Sequence, residues 1–225
     1  EAAFRAAVDA HLDEALERMH VCINACAPWR PDQFNVLQSS QHCILLYFLS
    51  NTMYARSGET AAATRLFLMN KALNGIDLFY EIAMPPVFYI GHSVGIVLAK
   101  ATYGNFLVLY QNSTIGRHKD RIPVIGEGVV VYPNSAIIGR CEVGDGAVIS
   151  QGTSVLDAKV GADQLAYAGA DGRLAFRKAP ADAAWSLVGT NPPPRRSPTT
   201  STASPSNSRN PATASSTSFR PRCSS

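Results

Sequence analysis

The stretch PVIGEGVVVYPNSAIIGRCEVGDGAVISQGTSV, residues 123–155, places an aliphatic residue at every sixth position: Ile125, Val131, Ile137, Val143, Ile149 and Val155. Gly126, Gly128, Gly139, Gly144, Gly146 and Gly152 fall between them. A period of six matches neither an α-helix (about 3.6) nor an isolated strand (about 2). It suits a solenoid in which each six-residue face supplies one inward aliphatic residue and a turn. Three such faces close a triangular coil and stack the aliphatics into ladders. A β-sandwich would instead show longer runs of two-residue alternation between turn signals.

Upstream, Val97, Tyr103, Leu109 and Ile115 keep the same period. Ile115 and Ile125 are ten residues apart, one hexapeptide plus four. The surplus, around Arg117-His118-Lys119-Asp120, predicts a loop pushed out of the coil. The solenoid is expected over residues 76–178. Residues 1–75 follow a helical rhythm instead. Phe4, Val8, Leu12, Ala15, Leu16 and Met19 form one stripe, and Pro28 and Pro31 then interrupt the chain. Ile44, Leu45, Phe48, Leu49 and Met53 form a second stripe that ends near Ser57-Gly58, a C-cap signal. Ala62, Leu66, Met69 and Leu73 form a third, stopping before Gly75.

The remainder, residues 179–225, is expected to be a disordered tail. From about residue 183 Pro, Ser, Thr, Ala, Asn and Arg dominate, a composition without enough apolar surface to order itself. The tail also explains the charge. The chain is formally +3, but residues 183–225 hold five arginines and no acid, which leaves the folded part at −2. A mildly acidic body carries no electrostatic footprint for nucleic acid.

Five cysteines are an odd number without framework spacing, so reduced thiols in a cytoplasmic protein are expected. Cys22 and Cys26 have the spacing of half a metal site but lack a second pair, which favours buried thiols and no metal. No basic segment followed by an apolar one signals secretion. The longest strongly apolar run, Cys43 to Leu49, is too short to span a bilayer.

Three ordered segments carry a resemblance. Gly91-His92-Ser93-Val94-Gly95-Ile96-Val97-Leu98 is similar to the His-x-x-Gly-[Ile/Thr]-Val segment of the serine O-acetyltransferase family of hexapeptide-repeat acyltransferases. Leu109-Tyr110-Gln111-Asn112-Ser113-Thr114-Ile115-Gly116 resembles that family's Leu-Gln-x-Val-Thr-Leu-Gly run. Pro123-Val124-Ile125-Gly126-Glu127-Gly128-Val129 resembles its Pro-x-Ile-x-[Asp/Glu]-Gly-Val. The resemblance covers about residues 75–178. It implies an α+β chain, with an N-terminal helical segment followed by a left-handed parallel β-helix. It also implies acetyl transfer from acetyl-CoA to a hydroxyl, with L-serine as acceptor and O-acetylserine as product.

In that family a histidine takes the acceptor's proton, supported by an aspartate fifteen residues earlier; the matching residues are His92 and Asp77. An imidazole suits this task, and a carboxylate on its far nitrogen fixes the tautomer. The thioester is already activated, so neither a metal nor a covalent intermediate is required. The resemblance further implies Arg121 as a carboxylate clamp for the acceptor and Gly91 at the acceptor site. Gly116, Pro133 and Gln151 are implied along the pantetheine groove, in a homotrimer or a dimer of trimers whose site lies at a subunit seam.

The departures bear on the acceptor. The family's aspartate before the catalytic histidine, which helps hold the substrate amine, is Gly91 here. A second histidine beyond the aspartate is Phe79, and the family's Arg-His pair is Arg121-Ile122. Its small Gly-Ala pairs on later coils are Tyr132-Pro133 and Ser150-Gln151. Losing an amine-binding carboxylate removes a discriminator for an amino acid. The hydroxyl of a sugar or other small metabolite is therefore an alternative acceptor, and a non-catalytic scaffold is an alternative of another class. A zinc-dependent hydratase would need three histidines in the solenoid, which has only His92 and His118.

Overall fold

The computed structural model describes residues 1–184 and 186–188. Of the tail expected over residues 179–225, residue 185 and residues 189–225 lie outside them. Three helices come first: α1 (Ala2–Asn24), α2 (Ser39–Ser57) and α3 (Ala61–Asn74). Gly58 and Gly75 end α2 and α3 in the left-handed conformation, and their N–H groups donate to Tyr54 O and Lys71 O. The third stripe is turned from its expected position. Leu66 is buried, but Met69 and Leu73 face solvent, and α3 presents Asn70 and Asn74 to the core instead.

The solenoid follows coil by coil. The first coil holds β1 (Asp77–Leu78) and β2 (Phe88–Ile90). The second holds β3 (Val97–Leu98), β4 (Thr102–Tyr103) and β5 (Leu107–Leu109). The third holds β6 (Thr114–Gly116), β7 (Val124–Ile125) and β8 (Val130–Val131). The fourth holds β9 (Ala136–Ile138), β10 (Glu142–Val143) and β11 (Val148–Ile149). The fifth holds β12 (Ser154–Leu156), β13 (Lys159–Val160) and β14 (Gln164–Ala168), after which β15 (Leu174–Lys178) folds back antiparallel on β14.

Three faces result. The first is β1-β3-β6-β9-β12, the second β4-β7-β10-β13, and the third β2-β5-β8-β11-β14 closed by β15. Every pairing except the last is parallel, as a left-handed β-helix requires. Ile125, Val131, Ile137, Val143, Ile149 and Val155 all point inward and are at most 3% exposed. One position differs from the six-residue reading. Val97 is 43% exposed and Leu98 takes the inward place, in register with Ile115, so the hexapeptide before Tyr103 is one residue short.

The helical segment and the first coil share one core. Phe88 is fully buried, with its ring edge-on to Tyr47 and Phe48 at 6.0 and 5.6 Å. The Tyr47 hydroxyl donates to Ile82 O (2.5 Å) and accepts from Met84 N–H (3.0 Å). Cys22 Sγ donates to Phe88 O at 3.2 Å.

The chain after β15 departs from the expected tail. Ala179 N–H donates to Asp163 O beside β14, whereas Val188 forms a bridge with Cys26 and Ala27 N–H donates to Leu187 O at the end of α1. The described residues after β15 are therefore anchored at both ends of this stretch, on the last coil at Asp163 and at the end of α1 at Cys26 and Ala27. Val108, Val130 and Val148 alternate with inward Leu109, Val131 and Ile149, so they point outward on the third face. All three are nonetheless buried, as are Ala184 and Val188. Ala184, Leu187 and Val188 supply apolar contacts that the surrounding polar composition disguises.

Candidate active site

One corner of the solenoid, between the third and first faces, gathers most of the candidate residues. On successive coils its turns contain Gly91-His92, Tyr110-Gln111, Tyr132-Pro133 and Ser150-Gln151. A ladder of left-handed residues holds these turns in register: Gly75, Gly95, Asn112, Asn134 and Gly152, with φ between 57° and 75°. Each rung bonds the next, from Gly95 N–H to Gly75 O (2.9 Å), Asn112 N–H to Val94 O (2.9 Å), Asn134 N–H to Gln111 O (3.1 Å) and Gly152 N–H to Pro133 O (3.0 Å). The C-terminus of α3 thus serves as the lowest rung.

Gly95 has a double requirement for glycine. Its φ is +75°, and a Cβ there would lie 2.0 Å from Asn112 Oδ1. Gly152 has a similar φ of +69° with open space around it. Gly95→Ala is expected to lower stability by about 1–3 kcal/mol and Gly152→Ala by about 1 kcal/mol. Thermal unfolding of the two variants separates the steric contribution from the backbone one.

His92 lies exposed in the turn between β2 and β3, and both of its sequence neighbours are fixed by the helical segment. Gly91 N–H donates to Leu109 O (2.8 Å), and Gly91 O accepts from the Ser40 hydroxyl at the start of α2 (3.2 Å). On the other side, the buried Ser93 hydroxyl donates to Asn74 O at 2.6 Å. Asn74 belongs to a chain that starts at a backbone carbonyl. Asn70 Nδ2 donates to Cys43 O (2.9 Å), Asn74 Nδ2 donates to Asn70 Oδ1 (2.9 Å), and the same Asn74 amide lies 3.2 Å from His42 Nδ1. Since Cys43 O can only accept, the chain's direction is set, and Nδ1 of neutral His42 is the acceptor with its proton on Nε2. Ser40, His42, Asn70 and Asn74 carried no signal in the sequence, because polar residues on a helix read as a solvated face.

Asp77 opens β1 in register with Val97, and its N–H donates to Ile96 O. Its carboxylate accepts from Lys71 Nζ in the last turn of α3, at 2.6 Å, rather than from the His92 ring. Arg121 lies at a different corner, between the first and second faces. The inserted loop closes there through reciprocal bonds between His118 and Arg121, around the turn Lys119-Asp120. Asp157 pins this loop to a later coil. Its Oδ1 accepts from Arg140 N–H (2.7 Å), and its Oδ2 accepts from Arg121 Nη1 (3.1 Å) and lies 3.5 Å from His118 Nδ1.

The Arg140 N–H bond, aided by His118 and Arg121, holds the Asp157 carboxyl below the usual carboxylate range. A depressed folded-state value means stabilisation is fully present above the ordinary Asp range and is lost as pH falls through the depressed one. Protection of the His118 and Arg121 amides, relative to their intrinsic exchange rates, is therefore expected to fall at that acidic end. In Asp157→Asn, the low protection should already be present at neutral pH.

Pro133 and Gln151 lie in the His92 corner column, while Gly116 ends β6 on the first face. That face is uncharged from β3 to β12: Val97, Thr114, Ala136 and Ser154 form one outward row, with Gly116, Ile138 and Leu156 beside it. Among the described residues, no three His, Cys, Asp or Glu side chains stand close enough to hold a metal ion, and no helix is long and apolar enough to cross a membrane.

Residues 122–157 match the family described as bacterial transferase hexapeptide (six repeats). The chain is 30% identical over 126 residues to the serine acetyltransferase of Escherichia coli strain K12, covering 51% of this chain and 44% of that one. It is 25% identical over 93 residues to the serine acetyltransferase of Synechococcus elongatus, covering 39% and 38%. The crystal structure of serine acetyltransferase from Brucella abortus superposes with a TM-score of 0.64 at 20% identity, covering 78% of this chain and 75% of that one. The chain spans about half the length of the curated relatives it matches. It carries the hexapeptide repeat of bacterial transferases, and in sequence and fold it is similar to the serine acetyltransferases.

Proposed function

We propose that the protein is an acetyl-CoA-dependent O-acetyltransferase, with His92 as general base and a small hydroxylated acceptor. L-Serine, the substrate in the name of its relatives, is the first acceptor to test. The observation that carries the reading is His92 itself, an exposed imidazole whose turn is bonded through Gly91 to Ser40 and through Ser93 to Asn74. Fixing both neighbours of a base orients it without ordering at the moment of reaction.

In this reading His92 removes the acceptor's hydroxyl proton as the oxygen attacks the thioester carbonyl. The C–S bond then breaks, and the imidazolium returns the proton to the coenzyme A thiolate. Asp77 supports the imidazolium when its carboxylate turns from Lys71 to His92. Arg121, swung from Asp157, is the candidate for holding an acceptor carboxylate. The uncharged first face, with Gly116 on it and Pro133 and Gln151 at its edge, suits a pantetheine arm covered by a second copy, as in a homotrimer. Cys22, Cys26, Cys43 and Cys141 are free and buried, and burial pushes the Cys43 thiol to about 12, which suits a reducing cytoplasm.

The test is free-thiol release from acetyl-CoA with and without L-serine, beside sedimentation of the protein. Acceptor-dependent release supports the reading. Release absent together with acetyl-CoA binding absent identifies a scaffold.

A further inference from the structure

The Asp77 carboxylate already has a partner, and it is not His92. The Lys71 ammonium lies 2.6 Å from Asp77 Oδ2, with the two side chains 51% and 36% exposed. Among the described residues no other side chain bonds this carboxylate, and the His92 ring bonds none. Yet β1 is tied to the end of the His92 turn: Asp77 N–H donates to Ile96 O and Gly95 N–H to Gly75 O, both at 2.9 Å.

Three features place the lysine. It occupies the last turn of α3, where a cation faces the negative end of the helix. Its ammonium stands 5.8 Å from the centre of the Phe67 ring, within reach of a cation–π contact. Phe67 is in turn edge-on to Phe79, two residues beyond Asp77, with ring centres 5.2 Å apart. The departure from the family at Phe79 therefore belongs to the same contact chain as Lys71.

A carboxylate shared with an ammonium attracts an imidazolium less than a free carboxylate does. The ion pair is also exposed, so it is weak and exchanges readily. We propose that Lys71 is a positioning residue that restrains Asp77: it holds the carboxylate in a resting orientation off the His92 ring, and its release sets how much of Asp77 supports the imidazolium. The proposal rests on the acetyl-transfer reading with His92 as base, and adds a competitor for its supporting carboxylate. A lysine that only stabilised the end of α3 would act the other way, since its loss would lower both the unfolding midpoint and the rate.

The experiment measures kcat/KM for the acceptor at saturating acetyl-CoA, with the full chain and the acceptor that gives the fastest thiol release. Lys71→Met should raise it roughly two- to fivefold, the range for freeing one partner of an exposed pair, with the acetyl-CoA KM unchanged. Lys71→Arg keeps the pair and should give a value at or below the parent's. In an Asp77→Asn background, Lys71→Met should change nothing. Lys71→Gln repeats the measurement should Lys71→Met unfold. A lower or unchanged value in the uncharged variants, a rise in Lys71→Arg, or an equal rise in the Asp77→Asn background would each overturn the restraint while leaving acetyl transfer intact. A parent chain whose rate is indifferent to Asp77→Asn removes the carboxylate from the mechanism, and the restraint with it. No thiol release by the parent with any acceptor overturns the acetyl-transfer reading itself.

Discussion

His92→Ala is expected to lower acetyl transfer by roughly 10²–10⁴-fold, the range for removing a general base. A hydroxyl oxygen is a weak nucleophile near neutral pH, and without the imidazole its proton must leave unaided to water. The ring is exposed and the turn is held through Ser40 and Asn74, so neither bond is lost with the side chain. The unfolding midpoint and acetyl-CoA affinity should therefore match the parent chain, and the loss should appear in kcat. A rate unchanged by this substitution would show that another group accepts the proton. The candidate is then His118 beside Asp157.

The second large effect concerns stability. Phe88→Ala is expected to cost about 3–5 kcal/mol, the range for truncating a fully buried phenylalanine. Phe88 lies where α2 meets the first coil, and its two edge-on contacts with Tyr47 and Phe48 add directional attraction to its buried area. Phe88→Leu keeps most of the volume and should lose much less. Urea denaturation checks both. If Phe88→Ala unfolds the helical segment while the solenoid survives, the two parts do not share the stability that their common core implies.

The solenoid is legible because a six-residue period has no competitor in helix or hairpin, and the ladder from Ile125 to Val155 follows it without exception. The single slip, Leu98 inward instead of Val97, is invisible in sequence because both residues are aliphatic and a one-residue deletion changes no composition. His92 is marked by the motif around it, but its supports are not. Ser40, Asn70 and Asn74 are polar residues buried on helices, and only packing tells them from a solvated face. Asp77 is marked by the family resemblance, whereas its bond to Lys71 depends on where α3 ends. The stacking of Tyr110 on Tyr132 was hidden for a related reason: the two are 22 residues apart, and only the four-residue insertion brings them into register.

The bridge from Val188 back to Cys26 alters what kind of polymer this chain is. An open solenoid behaves as a one-dimensional array, each repeat stabilised by its neighbours, so it frays from its ends. Here the last coil cannot peel away without releasing a segment anchored beside the first. The array becomes a loop of dependencies, and the penalty for losing one terminal repeat is shared by the other end. Such a chain should melt in a single cooperative transition rather than unzip repeat by repeat, keeping the His92 corner intact up to the temperature at which everything fails.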